Sequence, residues 1–294
     1  MTTFDDYTAR LTAGDRLTAT EIRELAASPD VLPLGMLADT LTRRLHGARV
    51  TFLRVHVSAL DGPLTVPAAA REVRLSGVPA SMNAALQAVS SARAATGART
   101  LSAFTWLDVE QIAGGDVPGA LEQLRGAGLD AIAELPLDVV TDPASALDQL
   151  TGAGFQQARL TIHTAPASQR LDLLLAADGY RSRYPIVKAI NPLPLTVNAF
   201  RPTTGYDDVK MVALARLAAP GIGAVQVDWL RYGPKLAQVA LSFGADDIDG
   251  VLASDDAPEG RRRAPLEEIR RNIEAAGYEA VERDGRFRLV ESIA

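Results

Sequence analysis

The feature that most constrains the fold is a repeated alternation of short β-branched segments with segments of helical period. It starts near Arg49 and continues to about Leu252. Such alternation is typical of parallel strands joined by right-handed helical crossovers. Eight strands are predicted, at Val50–Val57, Glu72–Leu75, Thr100–Thr105, Ala131–Leu135, Ala158–His163, Ile186–Ile190, Val225–Leu230 and Ile248–Leu252.

Eight parallel strands are enough to close into a barrel surrounded by helices. We therefore predict an α/β fold of the (β/α)₈ TIM type, and a doubly wound open sheet is the alternative. The chain is divided into an N-terminal helical segment packed on the barrel (1–48), the barrel (49–254) and a C-terminal extension (255–294).

Helix-start signals and apolar periodicity define the two ends of the chain. Thr18 followed by Glu21 forms a capping-box pattern that predicts a helix to Ala27, and apolar spacing predicts another over Pro33–Leu45. In the extension, Pro265–Ala276 is predicted to be helical, and Glu279–Val290 to form a hairpin around Asp284-Gly285. Between the strands, helices are predicted at Met82–Ala95, Pro118–Arg125, Pro143–Leu150, Ser168–Ala177, Asp207–Leu217 and Lys235–Phe243.

Charge and composition exclude several classes of function. The net charge of −6 argues against nucleic acid or anionic membrane as a partner, because both are bound through clustered Lys and Arg. No segment approaches the roughly 20 apolar residues that cross a bilayer, and Met1–Arg10 lacks the basic-then-apolar pattern of a signal peptide, so we expect a cytoplasmic location. The absence of cysteine excludes thiolate metal sites, and with three histidines we predict no metal site.

Three stretches of this sequence resemble one enzyme family. Leu34–Phe52 (LGMLADTLTRRLHGARVTF) and, more specifically, Thr203–Gly250 (with TTGYDDVKMVALARL and VDWLRYGPKLAQVALSFGADDIDG) are similar to the aminofutalosine synthase and dehypoxanthine futalosine cyclase branch of the radical-SAM superfamily. A weaker correspondence places His163, Arg170 and Asp172 on the fifth strand and the following helix. The resemblance implies a radical-SAM barrel and a link to the futalosine pathway of menaquinone biosynthesis.

The sequence departs from that family where the family carries its cofactor. The resemblance implies a C-x-x-x-C-x-x-C loop after the first strand, whose thiolates hold an iron–sulfur cluster. Here that loop is Ser58–Ala70 (SALDGPLTVPAAA), without a thiolate or imidazole. The family's glycine-rich segment after the fourth strand is Ala133–Asp138 (AELPLD), and Ala165 replaces an acidic residue. We therefore expect no 4Fe–4S cluster, no S-adenosylmethionine binding and no radical-SAM activity.

Seven residues near predicted strand ends are candidates for ligand binding, because barrels of this type bind ligands at the carboxyl ends of their strands. His163 is the candidate acid or base, with a structural imidazole as the alternative. Asp138 and Lys188 could bind an anionic group or form an ion pair at the rim, and Trp229 could stack on a purine or pack internally. The full set is His163, Asp138, Lys188, Asn191, Asp228, Trp229 and Arg231.

Together these observations support three functional hypotheses. The first is a pseudoenzyme without a cluster that binds a small nucleoside or chorismate-derived ligand, or assists an active homologue. The second is an enzyme that uses acid–base chemistry in the same barrel, with His163 as the acid or base and Asp138 or Asp228 orienting it. The third is a purely structural partner of an active homologue.

Overall fold

The protein is a closed eight-stranded parallel barrel surrounded by helices, as the strand–helix alternation predicts. A computed structural model describes residues 3–62, 64–194, 204–257, 260 and 262–290. The strands pair in chain order, and the first pairs with both the second and the eighth, which closes the ring. They are β1 (Arg49–Ala59), β2 (Glu72–Ser76), β3 (Thr100–Thr105), β4 (Ala131–Pro136), β5 (Ala158–Thr161), β6 (Val187–Asn191), β7 (Ala224–Asp228) and β8 (Asp247–Leu252).

Helices surround the barrel, and their apolar faces pack on its outer side in a continuous hydrophobic core. Within the residues that the structure describes, three helices precede β1 and one follows β8 in the C-terminal extension. The described helices are α1 (Phe4–Ala13), α2 (Ala19–Ala27), α3 (Val31–His46), α4 (Met82–Thr96), α5 (Trp106–Ile112), α6 (Val117–Gly126), α7 (Pro143–Gly152), α8 (Ala167–Arg183), α9 (Gly205–Ala218), α10 (Trp229–Leu241) and α11 (Pro265–Ala275). None of these helices has the length and apolar character needed to cross a bilayer.

Capping residues explain where several helices start. The box predicted from Thr18 and Glu21 is present, with both reciprocal hydrogen bonds formed. Two helices that the sequence analysis missed, α1 and α5, use the same device with Asp in place of Glu. In α5, for example, the Thr105 hydroxyl accepts from the backbone N–H of Asp108, and the Asp108 carboxylate accepts from the backbone N–H of Thr105.

A kink divides α10 near its start. Gly233 has a φ of 72°, outside the helical region, and Pro234 follows it. Proline cannot donate the helical backbone hydrogen bond, which is why the first turn and the rest of α10 do not form one regular helix. The helix predicted from Lys235 therefore corresponds to the part after the kink, and the turn before it carries Asp228 and Arg231 at the end of β7.

The C-terminal extension forms the predicted turn around Asp284-Gly285, where the backbone N–H groups of Asp284 and Val290 donate to the carbonyls of Arg288 and Glu282 at 2.8 Å, and it adds a strand that the sequence analysis missed. Residues Glu279–Glu282 form a ninth strand, β9, which pairs in parallel with the start of β1, and a single antiparallel bridge joins Arg283 to Leu289. The Arg283 side chain enters the barrel and binds the Asp247 carboxylate at 2.5 and 2.7 Å. Through the β1 pairing and this buried ion pair, the extension closes the amino-terminal end of the barrel.

Candidate functional site

Three charged side chains meet at the carboxyl end of the barrel. Glu134 lies on β4, His163 just after β5, and Arg231 in the first turn of α10. His163 Nε2 is 2.6 Å from Glu134 Oε2, and Arg231 Nη2 is 3.2 Å from Glu134 Oε1. All three side chains are partly exposed: His163 at 30%, Glu134 at 22% and Arg231 at 43%. We call this set the mouth cluster. A solute can reach it, and it offers both hydrogen-bond donors and a carboxylate.

The charge of Glu134 is held by its two partners. Burial raises its pKa, but His163 and Arg231 outweigh that effect and keep the pKa below its usual value. The contact between His163 Nε2 and Glu134 Oε2 is close but lacks hydrogen-bond alignment, whereas Thr161 Oγ1 lies at hydrogen-bond distance, 3.0 Å, from the same nitrogen. Glu134 is therefore a carboxylate whose oxygen retains hydrogen-bonding capacity.

Asp138 positions the loop that carries His163. Its carboxylate accepts hydrogen bonds from the backbone N–H groups of His163, Thr164 and Ala165, at 2.5 to 3.0 Å. Burial raises the pKa of Asp138, but these backbone donors outweigh it and lower the pKa. The side chain predicted to bind ligand is thus engaged by the protein's own backbone and holds the histidine in place.

A buried arginine supports the same loop from beneath. Arg170 donates to the backbone carbonyls of His163, Ala165 and Leu193 at 2.7 to 2.9 Å. Burial lowers the pKa of its guanidinium. Because Arg170 and Asp138 bind the loop backbone from two sides, His163 is fixed by contacts that do not depend on a ligand.

Asp228 and Trp229 take structural positions at the end of β7. One oxygen of Asp228 caps α10 and accepts from the backbone N–H groups of Leu230 and Arg231, both at 2.9 Å. Burial, with a smaller contribution from the Asp249 charge, raises the pKa of Asp228. Trp229 is only 7% exposed and belongs to the hydrophobic core, which favours the packing interpretation over stacking on a purine.

Asn191 and Lys188 lie at opposite ends of β6. Asn191 is paired in register with Thr161 near the mouth, and its side-chain oxygen is buried with no hydrogen-bond partner among the described residues. The predicted position of Lys188 at the mouth is wrong: it is the second residue of β6, and its ammonium donates to the carbonyl of Pro185 at 2.9 Å. It therefore forms no rim ion pair with Asp138, and the sequence prediction failed because it assigned one strand end to both residues.

The wall of the mouth formed by β1 and β8 is apolar. Val57 on β1 is 45% exposed and Leu252 on β8 is 41% exposed. Val57 is paired in register with Arg74, and Leu252 is paired with Val55. Paired residues of adjacent strands point to the same side, and Arg74 points into the barrel. Since β1 and β8 lie across the ring from β4 and β5, an apolar wall faces the mouth cluster.

A second charged cluster lies in the barrel interior and was missed by the sequence analysis. Glu72 is 0% exposed and accepts from Arg74 at 2.8 Å, from Arg159 at 2.7 Å and from Ser102 at 2.6 Å. The two arginines also approach Asp249, at 3.0 and 3.4 Å. We call these five residues the inner cluster. Two carboxylates and two guanidinium groups balance within it, so it needs no further ion.

Asp246, Asp247 and Asp249 form an acidic run at and just before the start of β8, and their carboxylates do not converge on a common point. Asp246 binds Arg216 at 2.5 Å, Asp247 binds Arg283, and Asp249 belongs to the inner cluster. Among the described residues, no group of three or more histidine or acidic side chains is arranged to hold a metal ion. The carboxylates of this run are bound to separate arginines rather than to one shared cation site.

The loop that would carry an iron–sulfur cluster does not fit one. Within Ser58–Ala70, Asp61 is the single charged residue that could bind a metal ion, and no residue offers a thiolate or imidazole. Leu60, Leu64 and Val66 of this loop pack against the hydrophobic core. The loop is therefore built from packing residues in place of metal ligands.

Comparisons with known proteins agree with the resemblance seen in the sequence. Residues 194–293 match the family model "CofH/MqnC C-terminal region". Aminodeoxyfutalosine synthase of Thermus thermophilus is 36% identical over 96 residues, which cover 30% of this chain and 25% of the relative. The 5-amino-6-(D-ribitylamino)uracil–L-tyrosine 4-hydroxyphenyl transferase of Archaeoglobus fulgidus is also 36% identical over 96 residues, 30% of this chain and 28% of that protein.

Solved structures support the fold over nearly the whole chain. Methylornithine synthase (PylB) aligns with a TM-score of 0.68 at 13% identity, covering 93% of this chain and 97% of that one. The FeFe-hydrogenase maturase HydG of Carboxydothermus hydrogenoformans aligns with a TM-score of 0.67 at 12% identity, covering 97% and 80%. The sequence relatives match over about a quarter of their own length. Residues 194–293 are thus similar to the CofH/MqnC C-terminal region, and the barrel has the fold of the solved neighbours.

Proposed function

We propose that this protein is a pseudoenzyme of the radical-SAM fold that binds a small polar metabolite at the mouth of its barrel without an iron–sulfur cluster. The observation that carries the proposal is the contrast between two sites on one scaffold. The loop after β1 has no ligand for a cluster, while Glu134, His163 and Arg231 remain partly exposed at the mouth.

The two walls of the mouth define the ligand we propose. Arg231 and His163 can donate to a carboxylate, a ring oxygen or a ribose hydroxyl, and Glu134 can accept from an amine or hydroxyl. Val57 and Leu252 on the opposite side suit an aromatic ring or base. A nucleoside or a chorismate-derived enol ether combines these features, and we propose an intermediate of the futalosine route to menaquinone.

Calorimetric titration tests this proposal. The ligand panel comprises aminodeoxyfutalosine, futalosine, a chorismate-derived enol ether, 5-amino-6-(D-ribitylamino)uracil and S-adenosylmethionine, the first and fourth named after the relatives' own activities. We expect saturable binding of one of the first three, weakened about tenfold or more in Arg231→Gln, which removes a charged donor. Arg183→Gln is the matched control, because Arg183 pairs with Asp148 on the surface, away from the mouth. No heat with any of the first three compounds would contradict the proposal, whatever the other two show.

Acid–base catalysis in the same mouth is the second candidate. The observation that favours it is the 2.6 Å approach of His163 Nε2 to Glu134, since a carboxylate beside an imidazole is a common arrangement for proton transfer. His163→Ala separates the two candidates once a ligand is known. An enzyme would lose about 100-fold or more in turnover of that ligand, whereas a binding protein shows no conversion before or after the substitution.

A further inference from the structure

A cavity lies at the amino-terminal end of the barrel, opposite the mouth cluster. Its volume is about 210 Å³, and it is bounded by the starts of β1, β6 and β7 and by the segment after β9. The polar and apolar side chains that matter for its chemistry are Arg49, Arg181, Lys188, Asp246, Arg283 and Phe287. None of these residues belongs to the mouth cluster.

Three cations of this cavity have no carboxylate partner among the described residues. Lys188 Nζ donates to the carbonyl of Pro185 at 2.9 Å, and Arg181 Nε donates to the carbonyl of Gly221 at 3.3 Å. Arg49 is exposed at the first position of β1 and forms no ion pair within the described part of the chain. Backbone carbonyls satisfy hydrogen bonds but do not balance charge, so this set is net positive.

The other charges of the cavity are already balanced. Asp246 is bound by Arg216 at 2.5 Å and approached by His46 at 3.0 Å. Arg283 is bound by Asp247 from two nitrogens. The positive excess is therefore carried by Arg49, Arg181 and Lys188, in a protein whose net charge is −6.

Helix dipoles do not account for the cluster. Arg181 is in the last turn of α8, where a cation is favoured by the helix dipole. Arg49 and Lys188 lie on strands, which have only small net dipoles. Partial burial, with a smaller contribution from the Arg181 charge, lowers the pKa of Lys188, so these surroundings disfavour its charged form.

We propose that this cavity binds a small free anion of the phosphate class. Three cationic groups reach it from three separate elements, β1, α8 and β6, and an anion with oxygens on all sides can accept from each. The cavity is too small for a nucleoside and lies away from the mouth, so the inference is independent of the ligand proposed there. Phe287 and Leu289 also line it, and bound anion would hold the C-terminal segment against the barrel.

Calorimetry and thermal unfolding of the intact protein with pyrophosphate, inorganic phosphate and malonate test the proposal. We expect saturable binding of pyrophosphate and phosphate, with weaker binding of malonate, whose oxygens lie in two planar groups. Lys188→Gln and Arg49→Gln should each weaken pyrophosphate binding about tenfold. Lys235→Gln, an exposed position on α10, is the matched control and should leave binding within about twofold.

The melting temperature without anion separates a binding role from a structural one. If Lys188 serves an anion, Lys188→Gln relieves repulsion and melts at the same or a higher temperature than the parent protein, but gains less from pyrophosphate. A Lys188→Gln protein that melts lower without anion and gains as much from pyrophosphate would overturn the proposal. So would an absence of saturable pyrophosphate binding by the parent protein, or tighter binding of malonate.

Discussion

The inner cluster and the mouth cluster contain similar side chains in the same barrel but differ in access. Around Glu72 the two carboxylates and Arg159 are buried, Arg74 is 17% exposed, and each carboxylate is shared by the two arginines. Around Glu134 the partners are partly exposed, and one imidazole and one guanidinium face a single carboxylate. The comparison teaches that charged side chains near a barrel axis can serve in two ways. A buried cluster holds strands together, whereas a partly exposed cluster is available to a ligand.

The inner cluster joins strands that are far apart in the ring. Glu72 and Arg74 lie on β2, Arg159 on β5 and Asp249 on β8. The interior of a barrel of this type is usually filled by layers of branched apolar side chains. Here ion pairs take part of that space, so the barrel depends on each charge keeping its partners.

The largest effect is expected for Glu72→Gln. The substitution leaves Arg74 and Arg159 buried with one carboxylate between them, and removing one partner of a buried ion pair costs about 3–5 kcal/mol. Urea unfolding followed by circular dichroism measures the loss of free energy of unfolding. A loss of under about 1 kcal/mol would show that the interior is open to water and would end the distinction between the clusters.

The second-largest effect is expected at low pH, where protonation of the inner-cluster carboxylates should lower the free energy of unfolding. Burial raises the pKa values of Glu72 and Asp249, but their arginine partners outweigh it and hold both below the usual range. A carboxyl with a depressed pKa in the folded state stabilises the fold above its unfolded pKa of about 4, and this stability is lost as the pH falls through the folded pKa. Measured from pH 7 downward, the free energy of unfolding should decline less steeply in Asp249→Asn than in the parent protein. Identical slopes would contradict the assignment.

At the mouth, Glu134→Gln should affect binding far more than stability. Its ion pairs are partly exposed, and such pairs contribute about 0–1 kcal/mol to folding. Ligand affinity should fall about tenfold or more because the carboxylate acceptor is lost. Paired urea unfolding and calorimetry on one preparation measure both quantities. A loss of stability equal to that of Glu72→Gln would contradict this prediction and show that Glu134 mainly stabilises the fold.

The smallest effect is expected for Asp228→Asn. The amide oxygen can still cap α10, while the buried charge is removed, so the free energy of unfolding at pH 7 should stay the same or rise by about 0.5 kcal/mol. Because the folded pKa of Asp228 is raised, its contribution makes the parent protein less stable as the pH rises from the unfolded pKa through the folded one. The variant should lack this decline when unfolding is followed between about pH 4 and 7. A variant that is much less stable at pH 7 would show that the charge itself is required.

The residue pattern along the chain predicted the positions of the barrel strands and the start of one helix well. Strand periodicity located all eight barrel strands to within one or two residues at most ends, and the Thr18–Glu21 box gave the start of α2. These features depend on residues close in sequence, such as the cap and its third neighbour. The resemblance noted at Thr203–Gly250 agrees with the family match at residues 194–293, and the predicted barrel agrees with the fold of the solved structures.

Pairing across the barrel could not be predicted in the same way. Glu134 stood within a segment already noted, AELPLD, yet its partners His163 and Arg231 are 29 and 97 residues away along the chain. The inner cluster requires knowing which strand residues point inward, and a shift of one residue reverses that assignment. Lys188 was placed at the wrong end of β6 for a different reason, because the prediction assigned Lys188 and Asn191 to the same strand end.

Anaerobic reconstitution with iron and sulfide tests the central claim most directly. The purified protein is incubated with both under reducing conditions, desalted, and assayed for bound iron, bound sulfide and reductive cleavage of S-adenosylmethionine. A barrel whose loop at Ser58–Ala70 has no thiolate should retain neither element in stoichiometric amount and leave the sulfonium intact. A brown protein with stoichiometric iron and sulfide that cleaves S-adenosylmethionine would contradict the account.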